Sequence, residues 1–318
     1  MTAPFDWAPP EFGPATGIGP STGAPGAARA PGTQPYRPDT VADGWATEEL
    51  EVRAAAVRGV SHRVLGVPRQ DEFALAVHPG SGSVIAVVAD GLSSAALSHM
   101  GATVVCRTVV DYLLRALDTA GSAGDGAGGD GGSGDGVDWG DLLRCAGWSL
   151  VEYANRQLGE AEPQRAEALL ATTVVVALVG PDGSAWLVRV GDSAAWTLRD
   201  GVWTPLFPAL TRPEDELLPD GVAALPRVPN AIEPVTVALD ASDVLVLGTD
   251  GFAEPLGDGK GEVGRLFAEA LETPPPMARL AWLLDFTGPW DDDRTLIGLW
   301  RTASRSRTGE AEEAKADG

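Results

Sequence analysis

The sequence predicts an α+β fold in which β-sheets are covered by helices. Short β-branched runs bounded by Gly, Asp or Pro indicate strands, and longer segments with apolar residues at i, i+3 and i+4 indicate amphipathic helices. Strands that could pair as hairpins come first along the chain and helices follow, an order that favours α+β over a doubly wound sheet. The predicted strands are residues 73–77, 84–89, 173–179, 186–190, 235–239, 244–247 and 295–300, and the predicted helices are residues 94–117, 139–158, 263–271 and 277–284.

Composition divides the chain of 318 residues into a domain and two tails. Residues 1–45 are rich in Pro, Gly, Ala and Thr, and a segment of this composition buries too little apolar surface to offset its ordering entropy. We expect a disordered arm there, a domain over residues 46–302, and a disordered tail over residues 303–318. A Gly/Asp-rich insert at residues 121–136 predicts a flexible linker between the first two helices.

The charge balance excludes two classes of partner. A formal net charge of -22 argues against nucleic acid and against anionic membrane surfaces, because both require basic patches. The N-terminus lacks the basic and apolar regions of a signal peptide, and the longest apolar runs are far shorter than the ~20 residues that cross a bilayer. We therefore expect a cytoplasmic protein, with Cys106 and Cys145 as buried free thiols.

Aspartates follow three of the apolar strands. Asp90-Gly91 ends the run 84–89, Asp192-Ser193 follows the run 186–190, and Asp250-Gly251 follows the run 244–247. Two further acidic positions flank strands: Asp71 precedes the run 73–77, and Asp292 precedes the run 295–300. Asp-Gly is also a common hairpin-turn dipeptide, so each pair alone is compatible with a simple turn.

Taken together, the aspartates indicate a cation site. Strand ends in one sheet layer lie near each other, and several carboxylates there repel unless a cation joins them. Ligands that are all oxygen, with no Cys or His at metal-binding spacing, favour Mg²⁺ or Mn²⁺ over zinc. Two such ions can activate a water for attack on phosphorus.

Six segments, in this order, resemble the motifs of the protein phosphatase 2C family. They are GVSHRVLGVPRQDEFALAV, VIAVVADG, ATTVVVALV, WLVRVGDSAAW, DVLVLGTDGF and DDDRTLIGLW, and the first is similar to the opening motif of a bacterial subgroup. The resemblance covers roughly residues 50–302. It implies an α-β-β-α sandwich of two antiparallel sheets, with a two-metal site at one end of the sheets, and a metal-dependent phosphatase acting on phosphoserine and phosphothreonine of proteins phosphorylated by a Ser/Thr kinase.

The resemblance also implies roles for individual residues. Asp90 would bridge two Mn²⁺ or Mg²⁺ ions, with the Gly91 carbonyl beside it, and Asp250 and Asp292 would complete the first ion. Asp71 would lie beside the second ion, and Asp192 matches an aspartate associated with a third, weaker ion. Residues 207–232 correspond to a flap beside the site, which we expect to be mobile.

Three departures from the family pattern leave a second interpretation open. The arginine that usually holds the phosphate is replaced near Gly66, so Arg63 or Arg69 would have to serve. Gln70 stands where an acidic residue is common, and the segment LSS at 92–94 replaces the usual Met-Gly-Gly. The alternative is therefore a weakly active or inactive phosphatase-like module that binds a phosphoprotein or a regulatory partner.

Overall fold

Two antiparallel sheets form the centre of the molecule. The computed structural model describes residue 12 and residues 37–123, 134–159, 162–208 and 223–302. Within these ranges the strands are β1 (Thr40–Ala46), β2 (Leu50–Val57), β3 (Glu72–Val77), β4 (Val84–Ala89), β5 (Val174–Val179), β6 (Ser184–Val190), β7 (Ala194–Arg199), β8 (Val202–Pro205), β9 (Val235–Ala238), β10 (Val244–Gly248) and β11 (Arg294–Arg301). One sheet has the order β1-β2-β11-β10-β7-β8 and the other has the order β3-β4-β5-β6-β9.

Helices lie on the outer faces of both sheets. They are α1 (Val60–Leu65), α2 (Ser98–Ala123), α3 (Trp139–Tyr153), α4 (Pro163–Leu170), α5 (Asp250–Leu256), α6 (Glu262–Ala270) and α7 (Met277–Leu284). A π-helical turn, Ala154–Leu158, continues α3. No helix in the described ranges combines the length and the apolar character needed to cross a bilayer.

Three large hydrophobic clusters lie between four layers of secondary structure, so the architecture is an α-β-β-α sandwich. A central cluster joins the facing sides of the two sheets and includes Val88, Val175 and Leu247. A second cluster packs α2, α3 and α4 onto the five-stranded sheet, and a third packs α5, α6 and α7 onto the six-stranded sheet. The predicted fold class is therefore confirmed.

The seven predicted strands and the four predicted helices are present, with shifted ends, and several elements were missed. The missed elements are β1, β2, β7, β8, α1, α4 and α5. Strand β2 contains three consecutive alanines, which have low strand propensity. It is a strand because β1 and β11 pair with it on either side and the central core covers it.

The predicted boundary of the N-terminal arm is wrong at its end. Residues 40–46 form strand β1 and pair with β2, so the ordered part of the chain begins before residue 46. Arg37 is largely buried, and Phe12 packs against the domain. The tail at 303–318 and the rest of the arm before residue 37 lie outside the described residues.

Two internal segments are described in part. The start of the predicted linker belongs to α2, which ends at Ala123, and residues 124–133 lie outside the description. The last part of the predicted flap is anchored, because Leu225 is buried and its backbone exchanges two hydrogen bonds with Thr172. Residues 209–222 lie outside the described residues, and the mobility of the flap at residues 207–232 stays a prediction.

Both cysteines are free thiols, as predicted, but they differ in exposure. Cys106 is buried, whereas Cys145 is only partly buried and lies near Asp141. The expectation that both are buried is therefore wrong for Cys145.

Candidate metal centre

Three of the predicted aspartates meet at one end of the sandwich. Asp90, Asp192 and Asp250 each offer a carboxylate oxygen, and these oxygens lie within 4.8 Å of one another. Asp90 directly follows β4, Asp192 follows β6, and Asp250 is the first residue of α5, after β10. Neither Asp-Gly pair is a hairpin turn. Strand ends from both sheets thus supply the cluster.

The backbone at Asp90 is fixed by the neighbouring strand connection. Its carbonyl accepts a hydrogen bond from the Thr172 hydroxyl at 2.7 Å and another from the Thr173 amide at 2.8 Å. Gly91 is buried and forms a β-bridge with Thr172. These contacts hold the Asp90 side chain at the end of the sheet, next to Asp250.

The carboxylates of the cluster raise each other's pKa. Burial, together with the charges of Asp250, Asp71 and Asp292, raises the pKa of Asp90 well above its ordinary value. Burial and the charge of Asp292 raise the pKa of Asp250 to about 7. Asp90 and Asp250 share a side-chain hydrogen bond. A proton between two carboxyl groups is what such a cluster holds when no cation neutralises it.

Asp71 is buried behind this cluster and is held by two hydroxyl groups. Thr249 and Thr295 each donate a hydrogen bond of 2.8 Å to its Oδ2 atom. Burial and the charges of Asp293 and Asp292 raise the pKa of Asp71 to about 8, although the two hydroxyl donors act in the opposite direction. Asp71 is therefore an electrostatic neighbour of the cluster.

Asp292 lies on the connection between α7 and β11 and keeps about half of its side chain exposed, at 46%. Its Oδ1 atom accepts a hydrogen bond of 2.7 Å from the Asp293 amide. Burial and the charge of Asp293 raise the pKa of Asp292. The charge of Asp292 in turn acts on Asp90, Asp250 and Asp71, so it belongs to the same electrostatic group.

A buried ion pair that sequence reasoning missed supports Asp292. The Nδ1 atom of His62 lies 2.9 Å from Asp293 Oδ1 and 3.9 Å from Asp292 Oδ1. Burial opposes the charged form of both partners, but their close approach and opposite charges outweigh it, so the pKa of His62 is raised and that of Asp293 is lowered. The amides of Gly59 and Gln70 also donate to Asp293.

Two glycines let the segment around Asp292 pass close to its neighbours. A Cβ atom on Gly59 would lie 2.2 Å from the carbonyl carbon of Asp292, and one on Gly251 would lie 1.9 Å from the carbonyl oxygen of Asp293. Any side chain at either position would push this segment away from Asp250. The glycine after Asp250 is therefore a packing requirement, which no turn rule predicts.

A second missed residue, Arg37, braces Asp71 from the N-terminal side. Its guanidinium donates to the Asp71 carbonyl at 2.7 Å and forms an ion pair with Glu72 at 3.2 Å. It also donates to the carbonyl of His99 and to the hydroxyl of Thr103. Composition assigned residue 37 to a disordered arm, and nothing in its local sequence marks it as a structural arginine.

The two arginines predicted to hold phosphate have other partners. Arg69 is 2% exposed and donates to the carbonyls of Asp71 and Pro38, and its role in phosphate binding stays a prediction. Arg63 forms an ion pair with Asp285 at 2.7 Å. Its role in phosphate binding stays a prediction.

The donor set fits a hard divalent cation. The converging side chains supply only carboxylate oxygens, and the pKa values of Asp90 and Asp250 are raised by burial and by the charges of neighbouring carboxylates, a repulsion that a cation would relieve. His62 lies with Asp292 and Asp293, outside the trio of Asp90, Asp192 and Asp250. Oxygen ligands of this kind suit Mg²⁺ and Mn²⁺.

Comparison with protein-family models identifies the class to which this fold and site belong. The model for "Protein phosphatase 2C" matches residues 58–286, which is more than half of the chain. The chain therefore belongs to the protein phosphatase 2C family, a family of protein-serine/threonine phosphatases. A search of curated proteins finds no match.

Solved structures of the same fold include bacterial phosphatases. The chain is similar to the serine/threonine phosphatase PstP/Ppp of Mycobacterium tuberculosis, with 20% identity and a TM-score of 0.51 over 79% of this chain and 98% of that chain. The catalytic domain of PstP in complex with two manganese ions is 19% identical, with a TM-score of 0.52 over 80% of this chain and 99% of that chain. RsbX in complex with magnesium is 12% identical, with a TM-score of 0.52 over 82% of this chain and 100% of that chain. At these identities the likeness shows a common fold.

Proposed function

We propose that this protein hydrolyses phosphoserine and phosphothreonine on protein substrates, with two Mn²⁺ or Mg²⁺ ions held by its aspartate cluster. The observation that carries this proposal is the convergence of Asp90, Asp192 and Asp250 within 4.8 Å at the end of the sandwich. Membership of the protein phosphatase 2C family agrees with it. The similar structures of RsbX and PstP, which contain magnesium and manganese, support the choice of ion.

The residues of the site divide between holding the ions and shaping their surroundings. We assign Asp90 to both ions, Asp250 and Asp292 to the first ion, and Asp192 to a third and weaker ion. When bound, the ions would polarise the phosphate and supply a nucleophilic water. The Gly91 carbonyl, next to Asp90 in the chain, would supply a further oxygen ligand.

Asp71 has a supporting role in this proposal. It is 1% exposed, so it acts on the second ion through its charge and its hydrogen bonds. Thr249 and Thr295 fix the carboxylate in one orientation, and Arg37 fixes its backbone. This arrangement places a carboxyl group behind the site, and because its pKa is about 8 without a cation, it would lose its proton when a divalent cation binds.

The substrate follows from the class of enzyme. We infer that it is a phosphorylated protein produced by a Ser/Thr kinase and that the reaction takes place in the cytoplasm. The acidic net charge of -22 makes nucleic acid and anionic membrane poor partners.

The decisive variant is Asp250→Asn, which removes one ligand charge while keeping the shape of the side chain. With Mn²⁺ and a phosphothreonine peptide, we expect kcat to fall by roughly 10²-fold or more, because the cation contributes several kcal/mol to stabilising the transition state. The control is Asp200→Asn, an exposed aspartate in the turn between β7 and β8, which should retain full activity. Undiminished turnover in Asp250→Asn would reject the assignment.

A second candidate function is a phosphatase-like module without turnover, which binds a phosphoprotein or a regulatory partner. The observation that favours it is the placement of the two candidate phosphate-binding arginines, one buried and one paired with Asp285. Calorimetry with Mn²⁺ separates the two functions. Metal binding by wild-type protein that cleaves neither phosphopeptides nor p-nitrophenyl phosphate would support the binding module.

A further inference from the structure

A cavity on the face of the molecule formed by α5 and α6 has no role in the proposed reaction. Its volume is about 400 Å³, and it lies between these helices and the connection from α7 to β11. Its apolar lining consists of Pro255, Leu256, Val263, Pro289 and Trp290. Asp258 and Glu262 also line it, so the cavity is largely apolar with two carboxylates, and its size suits apolar side chains of a peptide.

The structure places one residue of the N-terminal segment at this cavity. Phe12 lines it, and its backbone amide donates a hydrogen bond of 2.7 Å to the carbonyl of Thr287. Its ring meets the ring of Phe286 edge to face, with 5.5 Å between centroids. A Cβ atom on Gly288 would lie 2.8 Å from the Phe12 carbonyl oxygen, so the two backbones are in close contact.

The segment that Phe12 contacts leads directly to the candidate metal centre. Arg294 donates to the carbonyls of Phe286 at 2.8 Å and Trp290 at 2.7 Å, and its guanidinium stacks on the Phe286 ring at 3.9 Å. Asp291, which follows Trp290 in the chain, accepts a hydrogen bond at its carbonyl from the Ser61 amide. Asp292 follows it, so contacts at Phe286 and Thr287 bear on the position of Asp292.

We propose that this cavity is a docking site for the chain's own N-terminal segment, with Phe12 as the anchor, and that docking stabilises the connection from α7 to β11. Trp7, Pro9 and Pro10 precede Phe12, a composition that suits the proline and tryptophan lining of the cavity. Phe12 and Arg37 are 25 positions apart, and such a connection spans at most roughly 80 Å. Attachment to the same chain gives the segment a high effective concentration over any free peptide.

The docking is tested on the full-length chain by hydrogen exchange and thermal unfolding. The Phe12 amide should exchange slowly, because it donates to Thr287. Phe12→Ala should lower Tm by about 2–5 °C and speed exchange at the amides of residues 286–288 and of Trp290. Phe5→Ala, the same substitution in the same segment, is the matched control and should leave both measurements unchanged.

Rescue in trans identifies the occupant. A synthetic peptide of residues 5–16, added to the Phe12→Ala chain, should restore Tm and exchange protection, and the same peptide carrying Phe12→Ala should not. A Phe12 amide that exchanges at the rate of an unstructured peptide would overturn the proposal, as would unchanged exchange at the amides of residues 286–288 and Trp290 in Phe12→Ala. Exchange protection that rises with protein concentration would contradict docking within one chain and would show docking between copies of the chain. These readouts do not involve phosphatase activity, so they are independent of the proposed reaction.

Discussion

Asp71 receives its two hydroxyl donors from residues 178 and 224 positions further along the chain. Thr249 and Thr295 are fully buried, and the hydroxyl group of each donates to the same oxygen of Asp71. A hydrogen bond to a charged group contributes more than one between neutral groups, and an unpaired buried carboxylate is costly. These two threonines therefore reduce the cost of ionising Asp71 beside the other aspartates, although its pKa stays raised at about 8.

At the residue scale, Thr295→Val tests this dependence, because valine keeps the shape of threonine and removes the hydroxyl. We expect Mn²⁺ affinity to fall by roughly 10-fold, since loss of a donor raises the pKa of Asp71 further and leaves its charge less stabilised. Isothermal titration at pH 7 measures the change. Thr197→Val on β7 is the control, and equal affinity in the two variants would contradict a supporting role for Asp71.

At the scale of the elements, the connection between α7 and β11 is held in place by hydrogen bonds from one buried arginine. Arg294, the first residue of β11, is 2% exposed and donates to the carbonyl of Leu284 at the end of α7 and to two carbonyls of the connection, those of Phe286 and Trp290. Burial lowers the pKa of Arg294 to about 10, so it is still charged at neutral pH. A planar guanidinium can serve three acceptors at once, which a single ammonium group cannot do in the same geometry.

The corresponding prediction is that Arg294→Lys destabilises the fold by about 2–4 kcal/mol, because buried carbonyls lose their donors while the charge stays buried. Urea unfolding followed by circular dichroism gives the free energy of unfolding. Arg265→Lys on α6 removes an exposed guanidinium and should change that free energy by less than about 0.5 kcal/mol. Equal stability of the two variants would show that the carbonyls of the connection need no arginine.

For the whole molecule, the aspartate cluster links metal binding to pH. In the absence of a cation, burial and mutual repulsion raise the pKa of Asp90, of Asp250 to about 7 and of Asp71 to about 8. A carboxyl group with a raised pKa binds more protons in the folded chain than in the unfolded chain. Its contribution to stability is therefore lost as pH rises from about 4, the ordinary pKa, toward 8.

The rise in Tm on adding Mn²⁺ should consequently be larger at pH 8 than at pH 6. A divalent cation replaces the protons and relieves the repulsion that grows with pH, and a ligand bound only by the folded state stabilises it. Thermal unfolding with and without saturating Mn²⁺ at the two pH values measures the difference, in which effects common to both states cancel. Asp250→Asn should reduce the difference, and an Mn²⁺ effect that shrinks as pH rises would be inconsistent with these aspartates as ligands.

The strands that could be predicted are those whose residue types indicate a strand even though both faces of the sheet are buried. Strands β4, β5 and β10 consist mostly of Val, Ile and Leu, so their local signal agrees with their place at the centre of the sandwich. Strand β2 could not be predicted, because its alanines become a strand only between β1 and β11. Helix α5 was missed since Asp250-Gly251 has the composition of a turn.

The sequence by itself determined the α+β class and the strand-end aspartates, because periodicity and turn chemistry are local properties of the chain. Only the tertiary structure decided that Thr249 and Thr295 hold Asp71, that His62 pairs with Asp293, and that Arg37 and Phe12 belong to the folded domain. Each of these contacts joins residues that are far apart in sequence. Their free energy exists only once the two sheets are stacked, so no local pattern records it.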